Sequence, residues 1–284
     1  MIKVEGLYHS YSNDDRYAVK NISFEVEKGE IFGFLGPSGA GKSTTQGVLT
    51  GLLGLQKGNA VVAGYDLRHP RREMFNHIGV SFEQSNLYSK LTARENLAFY
   101  SKLFDVPTLD PMDLIRMVGL EGKENMRIGE YSKGMKHRLT FARSMLNNPG
   151  LWFLDEPTTG LDPAIASTIK ALIKKRNDQG VTVFLTTHNM FIADELCNRV
   201  AFIVDGEIRL IDSPKNLKLR YGRKMVDVEY KKGDVVLKDT LSTIQCEDRA
   251  RLTQIIDENE ILTMHTKEAT LEEIFIKATG RGLA

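Results

Sequence analysis

The pattern of apolar and polar positions along the chain sets out its elements in order. Ile22-Ser23-Phe24-Glu25-Val26 alternates and then turns at Lys28-Gly29, as a half-buried strand does. Ile31-Phe32-Gly33-Phe34-Leu35 is apolar throughout, the mark of a strand buried on both faces. It runs into a glycine-rich loop, after which a helix is expected near Lys42. Ala93 to Leu103 and Met112 to Val118 have helical spacing, punctuated by Pro107 and Pro111. Ser132 to Asn147 is a third expected helix, stopped by Asn148-Pro149. Strand character returns at Leu151 to Leu154 and at Val181 to Leu185, with a crossover helix expected from Ala164 to Gln179. Strand, helix and strand at that spacing imply a parallel α/β sheet.

Val200 to Val204 and Ile208 to Ile211 flank Asp205-Gly206, a strong hairpin signal. Beyond Ser213-Pro214 the pattern changes. Lys215, Lys218, Arg220, Arg223 and Lys224 form a basic stretch without acids, read either as a solvated linker or helix face or as a contact for anionic lipid. Val226 to Tyr230 and Val235 to Leu237 are expected to pair around Lys232-Gly233. Ala250 to Ile256 reads as helix, Ile261 to His265 as strand and Leu271 to Ala278 as helix, together a compact α+β appendage. The expected division is 1–214 for the main domain, with about 85–148 as a helical subdomain, and 215–284 for the accessory domain.

Composition narrows the classes. The 284 residues are 42% hydrophobic and 26% charged with a formal net charge of +1, which gives no support to a nucleic-acid binder driven by bulk charge. Cys197 and Cys246 lie far apart without metal-ligand spacing, so a reducing compartment fits better than a disulfide framework. The start of the chain does not read as a secretory signal, and no apolar run approaches the roughly 20 residues that cross a bilayer. A role at a membrane would be borrowed from a partner.

Gly36-Pro37-Ser38-Gly39-Ala40-Gly41-Lys42-Ser43-Thr44 fits G-x-x-x-x-G-K-[ST] between a strand and a helix. The glycines let successive N–H groups curl toward phosphate oxygens, and the helix start adds positive potential. Lys42 is the candidate to neutralise the β- and γ-phosphates, and Ser43 offers a hydroxyl to Mg²⁺. Leu151-Trp152-Phe153-Leu154-Asp155-Glu156 is an apolar strand ending in two acids, and the carboxyl end of a buried parallel strand faces the ligand crevice. Asp155 can hold Mg²⁺ through water, and Glu156 can polarise an attacking water as general base.

These two motifs are common to many nucleotide hydrolases, and the segments around them decide the class. Tyr131-Ser132-Lys133-Gly134-Met135-Lys136-His137-Arg138 resembles the signature segment of ABC (ATP-binding cassette) ATPases, usually Leu-Ser-Gly-Gly-Gln. Gln84 looks like that family's Q-loop glutamine, Gly160-Leu161-Asp162 like its D-loop, His188 after Thr186-Thr187 like its switch histidine, and Tyr11 like its adenine-stacking aromatic, with Tyr8 or Tyr17 as competitors. The motifs cover residues 1 to about 212 in the family's order.

The resemblance implies an α/β P-loop NTPase of the ABC ATPase fold, with a parallel-sheet core, an antiparallel β subdomain and a helical subdomain, followed by the small α+β appendage. It implies ATP and Mg²⁺, the metal held by Ser43, Gln84 and Asp155, and catalysis by Glu156, His188, Lys42 and Gln84. It implies two copies, or one copy and a paralogue, meeting head to tail, so that Ser132, Lys133, Gly134 and Met135 of one touch ATP on the other, with Asp162 in the D-loop between. Lys133 departs from the usual glycine, Met135 from the usual glutamine, and Glu83 from a frequent proline.

Met135 and the ending Ala269 to Arg281 are similar to daunorubicin-resistance-type export ATPases, which pair with a separate multi-span permease. This implies export of a drug, lipid, polysaccharide or ion, and a peripheral site at the cytoplasmic face of the membrane. A permease helix would dock along Gln84 to Tyr100, where Leu87, Tyr88, Leu91 and Phe99 are either docking residues or subdomain core. A soluble ABC-type ATPase acting on DNA or ribosomes is the alternative. It usually carries tandem cassettes or a long coiled coil, whereas this chain has one phosphate loop and no long heptad run. A GTP switch would need Asn-Lys-x-Asp, which is absent from the sequence. A nucleotide-binding regulator without turnover is disfavoured by Glu156 and His188.

Overall fold

The computed structural model describes residues 1–12, 16–222, 224–267 and 269–282. It falls into two compact units, Met1–Asp212 and Ser213–Arg281.

In the first unit, β1 (Ile2–His9), β2 (Val19–Val26), β4 (Lys57–Val62) and β5 (Tyr65–Asp66) form an antiparallel sheet in the order β2-β1-β4-β5. The alternation read in Ile22–Val26 is realised there, since Ile22, Phe24 and Val26 are buried and the residues between them exposed. A second sheet has the order β10-β9-β3-β8-β7-β6. Its strands are β3 (Ile31–Leu35), β6 (Ile78–Ser81), β7 (Leu151–Asp155), β8 (Thr182–Thr187), β9 (Arg199–Val204) and β10 (Glu207–Asp212). All its pairings are parallel except β9 with β10. Every residue of β3, β7 and β8 is buried, which is why these strands carry apolar runs rather than alternation. The β9–β10 turn places Asp205 at φ 53° and Gly206 at φ 80°, the two left-handed residues that a tight two-residue hairpin needs.

Helix α1 (Lys42–Leu49) follows β3 directly. Three helices lie between β6 and β7: α2 (Ala93–Ser101), α3 (Pro111–Met117) and α4 (Lys133–Arg143). A reciprocal cap starts α2, in which Thr92 accepts from the Glu95 N–H and Glu95 accepts from the Thr92 N–H. The helix expected to run from Ser132 to Asn147 stops at Arg143. Tertiary bonds take over there: Ser144 accepts from the Trp152 indole at 2.8 Å, and the Asn147 amide donates to the carbonyls of Phe75, Asn76 and Ile78. Crossover helix α5 (Pro163–Asp178) is capped by Asp162, and α6 (Met190–Leu196) by Asn189.

The second unit begins with α7 (Pro214–Tyr221) and continues as a sheet of β11 (Met225–Lys232), β12 (Val235–Ser242) and β13 (Glu260–Lys267), ordered β12-β11-β13. Helix α8 (Cys246–Glu258) completes a small core around Val228, Tyr230, Leu241 and Ile255, and α9 (Leu271–Thr279) follows. In the basic stretch Leu219 is largely exposed, and Arg223 lies outside the described residues. Among the described residues no helix is long and apolar enough to cross a membrane.

Candidate active site

The phosphate-loop sequence turns between β3 and α1 because its glycines take positions other residues cannot. Gly41 stands at φ 105°, and a Cβ there would lie 2.6 Å from the Ala18 carbonyl oxygen. A Cβ on Gly36 would lie 2.2 Å from the carbonyl oxygen of Ile203. The loop is therefore packed against its neighbours at both ends and open in the middle, where Ser38 and Gly39 are exposed. Nζ of Lys42 folds back on the loop, donating to the carbonyls of Gly36 at 2.7 Å and Pro37 at 2.9 Å. Burial pushes the Lys42 ammonium below its usual range, while the nearby Glu156, Asp155 and Glu83 carboxylates pull it up.

A cleft of about 620 Å³ opens beside this loop. Ser38, Gly39, Gly41, Lys42, Ser43 and Thr44 line one side, and Asp155, Glu156, His188 and Glu83 the other. Gly36, Pro37 and Ala40 shape the loop without lining the cleft. Tyr11 and Ala18 also line it. The Tyr11 ring is 70% exposed, as a stacking platform needs to be, and its hydroxyl meets Thr44 Oγ1 at 3.0 Å. Tyr8 and Tyr17 instead pack on each other and on Lys57.

The two acids come from β7 and the turn after it. The Thr186 hydroxyl donates to Asp155 Oδ1 at 2.5 Å. Burial nevertheless raises the Asp155 carboxyl above its ordinary range, and Glu156 and Glu83 raise it further. Glu156 stands at φ 47°, in the left-handed region, at a cost of about 1–2 kcal/mol for a residue with a Cβ. Its N–H and both carboxylate oxygens are hydrogen-bonded. Its N–H donates to the Thr186 carbonyl at 2.9 Å. Oε1 accepts from the His188 N–H at 2.8 Å and lies 2.6 Å from His188 Nδ1. Oε2 accepts from the hydroxyls of Thr187 at 2.9 Å and Thr159 at 3.0 Å.

These donors fit Mg²⁺. The Ser43 hydroxyl and Asp155 carboxylate are hard oxygen donors, and three carboxylates line the cleft against one lysine. A site meant for an anionic nucleotide needs a cation to offset that charge. Among the described residues no three acids, histidines or cysteines gather as an all-protein cage, as suits an ion that keeps waters and substrate phosphates in its shell.

Gln84 does not line this cleft. It is exposed and lines an adjoining pocket of about 400 Å³ with Lys133, Gly134, His137 and Thr159. Glu83 lines both pockets. Ser132 caps α4, its Oγ accepting from the Met135 N–H at 3.2 Å. Ser132, Met135 and the capping Asp162 line neither cavity, so within one chain the signature segment does not reach the phosphate loop. Sequence reasoning passed over Thr159, Thr186 and Thr187. Their only signal was position, three residues past Glu156 and immediately before His188.

A groove of about 470 Å³ lies on the same unit, with Leu52, Phe75, Phe82, Tyr100, Leu103 and Phe104 in its wall. Arg143 stacks on Tyr100 at 4.6 Å and donates to the Asn86 carbonyl and side chain. Beside it Tyr88 and Phe99, 49% and 42% exposed, pack edge to face, while Leu87 and Leu91 are half-buried.

Known proteins resemble this chain throughout. A family described as "ABC transporter" matches residues 19–159. A fluoroquinolones export ATP-binding protein of Mycobacterium tuberculosis is 46% identical over 100% of this chain and 94% of its own length. A linearmycin resistance ATP-binding protein of Bacillus subtilis is 32% identical over 96% of this chain and 85% of its own. Among solved structures, a dimeric post-hydrolysis ATP-binding cassette bound to ADP and phosphate superposes with a TM-score of 0.70 at 27% identity, covering 75% of this chain and 98% of that one.

Proposed function

The chain belongs to the ABC transporter family as an ATP-binding, ATP-hydrolysing subunit, and from that premise we propose that it powers export of a drug or antibiotic through a separate multi-span permease. The observation that supports the catalytic reading is the convergence of Lys42, Asp155, Glu156 and His188 on one cleft beside the phosphate loop. The relatives named for fluoroquinolone export and linearmycin resistance support the substrate class.

In this reading the loop N–H groups and Lys42 receive the β- and γ-phosphates of ATP, and Tyr11 stacks on the adenine. Lys42 releases the carbonyls of Gly36 and Pro37 to do so. Ser43 and Asp155 hold Mg²⁺, whose charge offsets that of the phosphates when it is bound. Glu156 orients the attacking water and accepts its proton, so catalysis rests on positioning and charge rather than a covalent enzyme intermediate. His188 leaves Glu156 to meet the γ-phosphate.

A second copy or a paralogue supplies Ser132, Lys133, Gly134 and Met135 to the open face of the cleft, with its Asp162 alongside. That arrangement accounts for a signature segment that reaches no phosphate loop in its own chain. ATP closes the pair and hydrolysis opens it. Gln84, in a pocket sharing Glu83 with the cleft, reports the nucleotide state to the permease, which docks in the neighbouring apolar groove. The subunit is peripheral at the cytoplasmic face, and no nucleic-acid partner is invoked.

Capture of the tagged protein from gently solubilised native membranes, with mass spectrometry of what co-purifies, tests this. A stoichiometric multi-span protein without its own cassette is expected. Recovery of ribosomal or DNA-bound partners, and nothing from the membrane, would overturn the transport role.

A further inference from the structure

Two threonine hydroxyls converge on one oxygen of Glu156, and they differ in circumstance. Thr187 is 1% exposed at the end of β8, where its hydroxyl must find a protein partner. Thr159 is exposed, so water could satisfy its hydroxyl equally well. Its bond to Glu156 Oε2 at 3.0 Å is therefore not explained by the need to pair a buried group. The backbone sets it up: the Thr159 N–H donates to the Glu156 carbonyl at 3.2 Å, closing a turn that returns the side chain to the acid three residues earlier.

The two oxygens of Glu156 are thus held in different ways. Oε2 is fixed by hydroxyls from its own turn and from the adjacent strand. Oε1 accepts from the His188 main-chain N–H at 2.8 Å, which stays in place, and meets the His188 ring at 2.6 Å, whose side chain is 56% exposed and is the one contact of the two that a rotamer change would remove. Resting on the reading of Glu156 as general base, we propose that Thr159 is a positioning residue for hydrolysis. With Thr187 it anchors Oε2, so that Oε1, still held by the His188 main-chain N–H, is the oxygen that takes the proton when the His188 ring departs. The water gives its proton to Oε1 as its oxygen bonds the γ-phosphorus and the bond from that phosphorus to the departing ADP oxygen breaks. Thr159 exchanges no proton. It restrains the carboxylate at a residue whose backbone is already strained.

ATP turnover by the purified full chain, with Thr159→Val, Thr159→Ser and Thr159→Ala, tests this. Loss of turnover in Glu156→Gln relative to wild type checks the underlying reading, and the contrast among Thr159 variants checks the role of Thr159. Thr159→Val and Thr159→Ala are expected to lower kcat by about 10- to 100-fold with KM for ATP held within about twofold, the cost of a misplaced reacting group. Thr159→Ser keeps the hydroxyl and should stay within about threefold of wild type. Single turnover in a Glu156→Gln background should show no further loss from Thr159→Val, because both changes act through one carboxylate. The proposal is overturned by a Val variant with wild-type kcat, by a Ser variant as slow as Val, or by additive losses in the double mutant.

Discussion

Nδ1 of His188 lies 2.6 Å from Oε1 of Glu156, joining a half-exposed ring to a carboxylate that is 7% exposed. Pairing by strand register brings them together. Asp155 on β7 lies opposite Thr186 on β8, so the next residues along each strand, Glu156 and Thr187, emerge side by side with His188 following. The candidate base and the candidate γ-phosphate sensor are thus bonded to each other. In the proposed mechanism ATP competes for the His188 ring before Glu156 takes up a water, which would tie activation of the base to arrival of the nucleotide.

Replacing Glu156 with Gln should separate binding from turnover. The hydroxyls of Thr159 and Thr187 can rotate to accept from the new amide N–H groups, while the His188 N–H still donates to the amide oxygen. The variant is expected to fold and bind ATP, to lose about 10²- to 10⁴-fold in turnover, and to accumulate as an ATP-trapped dimer in size-exclusion chromatography. Undiminished ATPase activity would refute the role given to Glu156.

Asp155 should cost the protein stability in the absence of ligand. Burial holds its carboxyl above the ordinary range, so between about pH 4 and its raised folded-state value the native chain retains a proton that the unfolded chain has lost. This group's contribution to stability therefore falls as pH rises through that window and remains a penalty at neutral pH. Asp155→Asn is expected to raise Tm at pH 7 by about 2–4 °C, the shift that ~1 kcal/mol makes in a domain of this size, while abolishing ATP turnover. An unchanged or lower Tm in calorimetry would contradict the electrostatic account.

Lys133 sits at the first residue of α4, where a cation opposes the helix dipole at a cost of about 0.3–1 kcal/mol. Lys133→Ala should therefore stabilise the nucleotide-free chain slightly. If Lys133 meets the partner's γ-phosphate, the same change should raise the ATP concentration needed for dimerisation and flatten its salt dependence, both readable by light scattering. An unaltered midpoint would make Lys133 a solvated side chain.

The sequence by itself determined whatever depends on contiguous backbone. The phosphate loop, the Asp205-Gly206 hairpin and the buried strands follow from residues a few positions apart, because sterics and local hydrogen bonds act over that range. Helix ends were less legible. Nothing local distinguishes Ser144 and Asn147 from helical residues, and their bonds to Trp152 and to the chain around Phe75–Ile78 come from distant segments. The membership of the site divides the same way. Lys42, Asp155, Glu156 and His188 were readable from motifs, whereas the two-threonine grip on Oε2, Glu83 at the cleft and Gln84 in the neighbouring pocket were not. Only the parallel register of β7 and β8 decides which hydroxyls meet which oxygen. That register is set by the packing of a sheet buried on both faces, a property of the whole core that no single motif encodes.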